Sequence, residues 1–336
     1  MIVARAPGKL VALGEYAVLD GAPAVVFAVD RFVEVTMEAS SDGVYRLVTR
    51  AGETTERILE PGRPSGVPIV DTVGASVALP VGWHATIDSR ALFAGAQKLG
   101  LGSSAAVVCA WAGAFAAFAR EQGLVDVADP GVGGLIETHR GLQGGKGSGL
   151  DVAASYTGGA ITFRLTGSLV PQIGSVRLPN SVGFAGIFTG RSASTPELVS
   201  RYRAWRARRP QEAAALVRRL TAQAEQGCAA LSGDDAAGWL EAFEAYGQSL
   251  GELGVAIGAD IVTAEHREIG VEARRHGIAY KVSGAGGGDL GLACAADREA
   301  LEAFSQSVED RGFRVINVSL ADHGLHVAQR GAGWQR

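Results

Sequence analysis

The chain has 336 residues, of which 47% are hydrophobic and 20% charged, so it is long enough for two domains and can bury a sizeable core. The formal net charge is −4 and no long basic or acidic run occurs, which argues against nucleic acid or a membrane surface as the main partner. The three cysteines are far apart without metal-ligand spacing, and residues 1–5 run straight into a predicted strand. We therefore expect a soluble, cytoplasmic protein.

The first half of the chain is predicted to be rich in strands. Apolar runs that alternate with turn residues predict strands over 2–4, 24–29, 32–37, 45–48, 83–87 and 160–164. Helices are predicted from Ser103 or Ser104 to about residue 121 and over 134–143. The most apolar segment, 105–119, is too short for a membrane span and is interpreted as a buried helix.

The second half is predicted to contain more helix. Residues 166–181 include two prolines and mark the expected domain boundary. Predicted helices follow at 195–209, 211–226, 236–253, 261–276 and 298–311, with strands at 182–188, 280–282, 291–294, 314–317 and 325–328. The pattern predicts an α+β fold with domains 1–170 and 171–336.

The segment GLGSSAA at 100–106 opens the long predicted helix. Its glycines allow close backbone approach, and the free N–H groups and dipole of a helix N-terminus bind anions. On local grounds, a glycine turn with a serine cap explains the segment equally well. A dinucleotide site is disfavoured because the acid about twenty residues on, Glu121, ends the same helix and not a second strand. No Walker A motif occurs, because neither Gly8-Lys9 nor Gly145-Lys146 is followed by Ser or Thr.

Three further clusters carry candidate chemistry. Pro7-Gly8-Lys9 follows a predicted strand, where a lysine either lies across phosphates or is solvated. The segment 147–151 ends in Asp151, which is either a helix cap or a catalytic group. The segment 281–289 has four glycines in five positions, which suits either a tight hairpin or close approach to a ligand.

The distribution of lysine favours the functional alternatives. Among 31 basic residues only four are lysines, namely Lys9, Lys98, Lys146 and Lys281. Each lies inside or within two residues of a glycine cluster. We interpret them as compact point charges of the kind that suits crowded phosphates.

The order of these clusters resembles the GHMP kinase superfamily over nearly the whole chain: Pro-Gly-Lys at 7–9, GLGSSAA at 100–106 and GAGGG at 284–288. Within it, GEYAVL at 14–19, GSGLDVAA at 147–154 and SAST at 192–195 resemble the phosphomevalonate kinase branch. The chain departs from the pattern at one place. In mevalonate kinases a Mg²⁺-binding Glu lies eleven residues before the catalytic Asp, and Arg140 occupies that position here.

The resemblance implies a two-domain fold, with a left-handed β-α-β unit in the N-terminal domain and a ferredoxin-like C-terminal domain. It implies ATP and Mg²⁺ as cofactors, Lys9 and Asp151 as catalytic residues and Ser104 as a Mg²⁺ ligand. The implied ATP-binding residues are Gly100, Leu101, Gly102, Ser103, Ser104, Ala105 and Ala106. The expected acceptor-binding residues are Lys98, Lys146, Ser148, Gly149, Ser192, Ser283, Gly284 and Ala285.

The expected reaction converts ATP and 5-phosphomevalonate into ADP and 5-diphosphomevalonate, by a monomer or homodimer without nucleic-acid or membrane partners. Three or four clustered lysines are better suited to binding two polyanionic substrates than to binding a neutral alcohol. The alternatives are mevalonate kinase or another GHMP kinase that phosphorylates a hydroxyl, and a catalytically inactive binding protein of the same fold.

Overall fold

The computed structural model describes residues 1–60, 63–74, 79–124, 129, 131–145, 147–168, 170–191 and 194–329. The strands are β1 (Ile2–Leu13), β2 (Ala24–Ala39), β3 (Tyr45–Arg50), β4 (Thr54–Leu59), β5 (Trp83–Asp88), β6 (Phe93–Ala94), β7 (Gln97–Lys98), β8 (Ala160–Arg164), β9 (Gln172–Val176), β10 (Gly183–Phe188), β11 (Ala279–Val282), β12 (Leu290–Ala295), β13 (Arg314–Ile316) and β14 (His326–Gln329). The helices are α1 (Pro68–Thr72), α2 (Ser103–Glu121), α3 (Gly131–Leu142), α4 (Leu150–Thr157), α5 (Thr195–Arg208), α6 (Pro210–Ser232), α7 (Ala236–Ile257), α8 (Ala264–Arg275) and α9 (Arg298–Asp310).

The chain groups into two compact units that are interleaved in sequence. The first consists of the described residues of Met1–Lys9, Ala28–Gly158 and Ala321–Arg336, and the second of Leu10–Phe27 and Gly159–Leu320. Strands β1 and β2 contribute residues to both units, because the divisions fall within them, after Lys9 and after Phe27. The expected domain boundary near residue 170 stays a prediction.

The first unit is built on a sheet with strand order β14-β1-β2-β5-β3-β4, in which β3 and β5 are parallel. Helices α2, α3 and α4 pack on one another. Helix α2 confirms the predicted segment and consists largely of buried alanines around Trp111 and Phe118. By length and composition α2 could cross a membrane, but 72% of its apolar window is buried in the fold, as in the core helix of a soluble protein.

The second unit contains a four-stranded antiparallel sheet of order β11-β12-β10-β13. Its core joins Ile187 of β10 to Ile269 of α8 and Phe304 of α9. Helix α7 packs against α6 and β11. A second ladder of this unit pairs the first residues of β2 with β8, and β8 with β9. Strand β9 lies within 166–181, the segment where the sequence predicts the domain boundary.

Candidate active site

The segment 100–106 forms a turn with two glycines followed by the N-terminus of α2. Gly100 and Gly102 have φ angles of 79° and 77°, which favour glycine, and α2 begins directly after them. Gly102 is the N-cap, and no described side chain caps the helix. The backbone N–H groups of the first turn therefore remain available for an anion, which the helix dipole favours.

Lys9 lies against this turn. Its backbone N–H donates to the Leu101 carbonyl at 2.7 Å, and its Nζ donates to the Gly100 carbonyl at 3.2 Å. A Cβ on Gly102 would lie 2.9 Å from Lys9 Cγ, so the lysine stem occupies the space that glycine leaves. The structure thus brings a cation from β1 to the anion-binding end of α2.

Asp151 lies in the first turn of α4, and the N-cap is Gly149, with φ 84°. The helix-cap interpretation of Asp151 is therefore wrong. The Asp151 Oδ1 atom accepts a hydrogen bond from the Val152 N–H at 3.0 Å. A Cβ on Gly149 would lie 2.5 Å from Ile136 Cγ2, so only glycine fits between α3 and the start of α4.

Arg140, in the position of the family's acidic residue, is a structural anchor. Its guanidinium donates to the backbone carbonyls of Ser148 at 2.7 Å and Gly147 at 3.3 Å, and forms an ion pair with Glu137. These bonds hold the chain that leads into α4. The Ser148 Oγ atom accepts from the Leu150 N–H at 3.4 Å.

His139 is the residue that sequence reasoning missed. It is 1% exposed and lies between two predicted site residues. Its Nε2 atom is 3.1 Å from Ser104 Oγ, and its Nδ1 atom is 3.8 Å from Asp151 Oδ1. Ser104 itself is exposed at the start of α2. The signal available in the sequence was a histidine one position before Arg140 on a predicted helix.

In the second unit, the loop after β11 is tied to the end of β1. The Ser283 hydroxyl donates to the Val11 carbonyl at 3.1 Å and accepts from the Val11 N–H at 2.9 Å. The Tyr16 hydroxyl donates to the Ala285 carbonyl, and the Gly284 N–H donates to the Glu15 carboxylate at 3.3 Å. The hydroxyl of Ser283 thus already makes two backbone bonds, and the loop presents mainly backbone groups.

Lys281 does not have the phosphate-binding role that its position predicted. Its side chain is fully buried and forms an ion pair with Glu15, whose side chain is 2% exposed. Burial lowers the pKa of Lys281 and raises the pKa of Glu15, and their mutual attraction opposes both shifts. A buried ammonium with a carboxylate partner is a structural group, and the interpretation of all four lysines as phosphate ligands is wrong for this one.

The other predicted residues lie at different places. Lys98 is exposed at the end of the β6–β7 hairpin, two residues before Gly100. Lys146 and Ser192 fall outside the described residues. Among the described residues, no group of three or more His, Cys, Asp or Glu side chains could hold a metal ion.

The chain is similar in sequence and fold to several known kinases. It is 31% identical to the phosphomevalonate kinase of Streptomyces sp. strain CL190 over 341 residues, which span 87% of this chain and 89% of that protein. It is 27% identical to the mevalonate kinase of Thermococcus gammatolerans, over 98% of each chain. The structure of Streptococcus pneumoniae phosphomevalonate kinase in complex with phosphomevalonate and AMPPNP matches with a TM-score of 0.75 and 20% identity, over 95% of this chain and 100% of that one. No family model matches.

The chain belongs to the GHMP kinase superfamily and has the two-domain α+β fold of that superfamily. It is a phosphotransferase, and its relatives make it a kinase of the mevalonate pathway.

Proposed function

We propose that this kinase transfers the γ-phosphoryl group of ATP to the phosphate of 5-phosphomevalonate, giving ADP and 5-diphosphomevalonate. The observation that carries the proposal is the placement of Lys9 against the open N-terminus of α2. The identity to the Streptomyces phosphomevalonate kinase and the complex of the Streptococcus enzyme support the choice of substrates.

The ATP phosphates would bind the first backbone N–H groups of α2, within the segment 100–106. The donor set fits Mg²⁺, because the exposed Ser104 hydroxyl offers a hard oxygen ligand. Since Mg²⁺ keeps several waters and uses substrate phosphates as ligands, one or two protein oxygens are enough. When bound, the ion would neutralise charge on the nucleotide phosphates.

The acceptor is a phosphate oxygen, which is mostly ionised at neutral pH because its second pKa is about 6. The main task of the protein is therefore to hold two polyanions together. Lys9 would neutralise charge on the transferred group, and Asp151 would orient Lys9 or the acceptor. A strong general base is needed less than for an alcohol acceptor.

Acceptor binding is assigned to two segments. Ser148 and Gly149 lead into α4, and Arg140 holds that segment through its backbone. Lys146 would add a positive charge. The loop residues Ser283, Gly284 and Ala285, with Ser192, would add backbone and hydroxyl groups. Lys98 would bind the phosphate already on the acceptor. The enzyme would act in the cytoplasm as a monomer or homodimer.

The test is turnover by the purified protein with ATP and Mg²⁺ against phosphomevalonate, mevalonate and other small alcohols. We expect kcat/KM for phosphomevalonate to exceed that for mevalonate at least tenfold. Phosphorus NMR of the product should give two coupled resonances, because a diphosphate joins two phosphorus atoms. A single phosphomonoester resonance from mevalonate would make the protein a mevalonate kinase, and no turnover of any acceptor would make it an inactive binding protein.

A further inference from the structure

His139 connects the two residues that the proposed function assigns to the metal and to catalysis. It projects from α3, while Ser104 begins α2 and Asp151 lies in the first turn of α4. All three belong to the first unit. We propose that His139 is a positioning residue that orients the Ser104 hydroxyl and the Asp151 carboxylate together. This inference rests on the proposed function.

The partners of the ring decide which nitrogen carries the proton. The Nδ1 atom lies 3.8 Å from the Asp151 carboxylate, which accepts hydrogen bonds, so we assign the ring proton to Nδ1. The Nε2 atom is then an acceptor. The Ser104 hydroxyl and the Gln143 side-chain amide each lie 3.1 Å from Nε2 and share its single lone pair.

This arrangement determines the direction of the Ser104 hydroxyl. Its proton points at the buried ring, so its oxygen lone pairs face outward from the start of α2. A Mg²⁺ ion bound to the nucleotide phosphates would need those lone pairs for coordination. Residues that orient a metal ligand in this way change metal affinity about 10- to 100-fold when they are replaced.

A histidine that only fills space would behave differently. The ring is almost fully buried, so a leucine could fill much of its volume but would leave the Ser104 hydroxyl without its acceptor. If His139 were merely structural, every substitution of it would lower the stability of the protein, and none would selectively change the effect of Mg²⁺ on ADP affinity.

Two substitutions separate the two connections. In His139→Gln the side-chain amide reaches the Nε2 position and retains the acceptor for Ser104. In His139→Asn the shorter amide reaches the Nδ1 position and retains only the group that faces Asp151. His139→Leu removes both. Thr138→Ala, on a half-buried neighbour in α3 whose hydroxyl donates to the Gly134 carbonyl of the same helix, is the control.

The readout is ADP affinity by calorimetry with Mg²⁺ and with EDTA, together with melting temperatures and kcat. We expect His139→Asn and His139→Leu to lose tenfold or more of the Mg²⁺-dependent gain in ADP affinity, with EDTA values unchanged. His139→Gln and Thr138→Ala should keep that gain. The double variant His139→Asn, Ser104→Ala should show the same Mg²⁺-dependent gain in ADP affinity as Ser104→Ala alone, because both substitutions act on the same hydroxyl.

The inference would be overturned if Mg²⁺ raised the ADP affinity of His139→Asn as much as that of the wild type. It would also be overturned if the ADP affinity of the wild type did not depend on Mg²⁺. If Leu fails to fold, the comparison of Asn with Gln still decides. Failure of the proposed function is separate: the wild type would then bind ADP with Mg²⁺ but turn over no phosphomevalonate.

Discussion

Lys281→Met should strongly destabilise the second unit. The Lys281 ammonium is fully buried, donates to the Glu15 carboxylate and to the Val282 carbonyl, and lies 5.3 Å from the centre of the Phe243 ring. Methionine keeps most of the stem and its ring contact but removes the charge. Glu15 would then be a buried carboxylate without its counter-ion.

The size of the loss follows from the surroundings of Glu15. Its Oε2 atom has no hydrogen-bond partner among the described residues, so the ion pair to Oε1 is its main compensation. Breaking a buried pair on one side costs about 3–5 kcal/mol, a large part of a typical stability of about 5–15 kcal/mol. Adding Glu15→Gln to Lys281→Met removes the unpaired buried charge. The double variant should therefore lose at least about 1 kcal/mol less free energy of unfolding than the sum of the two single losses.

Urea unfolding of the single and double variants measures these free energies. Lys98→Met makes the same chemical change on an exposed lysine and should stay within about 0.5 kcal/mol of wild type. The reasoning that each partner compensates the buried charge of the other would be refuted by either of two results. One is a loss of unfolding free energy below about 1 kcal/mol in Lys281→Met, and the other is a loss in the double variant equal to the sum of the single losses.

Steady-state kinetics should show that Lys9→Met lowers kcat more than Asp151→Asn, because an ionised acceptor needs neutralisation more than deprotonation; the opposite order would favour a base-centred mechanism. Lys98→Met should raise the KM for phosphomevalonate about ten- to a hundredfold and leave the KM for ATP nearly unchanged, whereas an unchanged acceptor KM would contradict acceptor binding. Gly102→Ala should weaken ATP binding in calorimetry, because its Cβ would lie 2.9 Å from Lys9 Cγ at a φ of 77°; wild-type affinity would count against phosphate binding at this turn. Burial lowers the pKa of His266 to about 4, so the unfolded chain binds a proton that the native ring does not. Unfolding free energy should therefore fall by about 3 kcal/mol between pH 6.5 and 4, and a slope that persists in His266→Asn would exclude this ring as its source.

The comparison of Arg140 with His139 illustrates the limit of motif spacing. Counting eleven residues back from Asp151 leads to Arg140, yet the side chain that reaches Asp151 and Ser104 belongs to its neighbour. Successive residues on a helix point about 100° apart, so an error of one position changes the face entirely. Which face of α3 meets α2 and α4 depends on packing between the three helices and not on spacing along the chain.

The sequence by itself determined the features that depend on neighbouring residues. The start of α2 after Gly102, and the anion-binding backbone that results, follow from glycines and a helix-forming run within a few positions. Only the tertiary structure decided which charges meet. Lys281 and Glu15 are 266 positions apart, and nothing local distinguishes Lys281 from Lys9. One lysine is a buried structural charge and the other lies against the glycine turn that begins α2, because the desolvation and the partners of a side chain are set by the elements that pack around it.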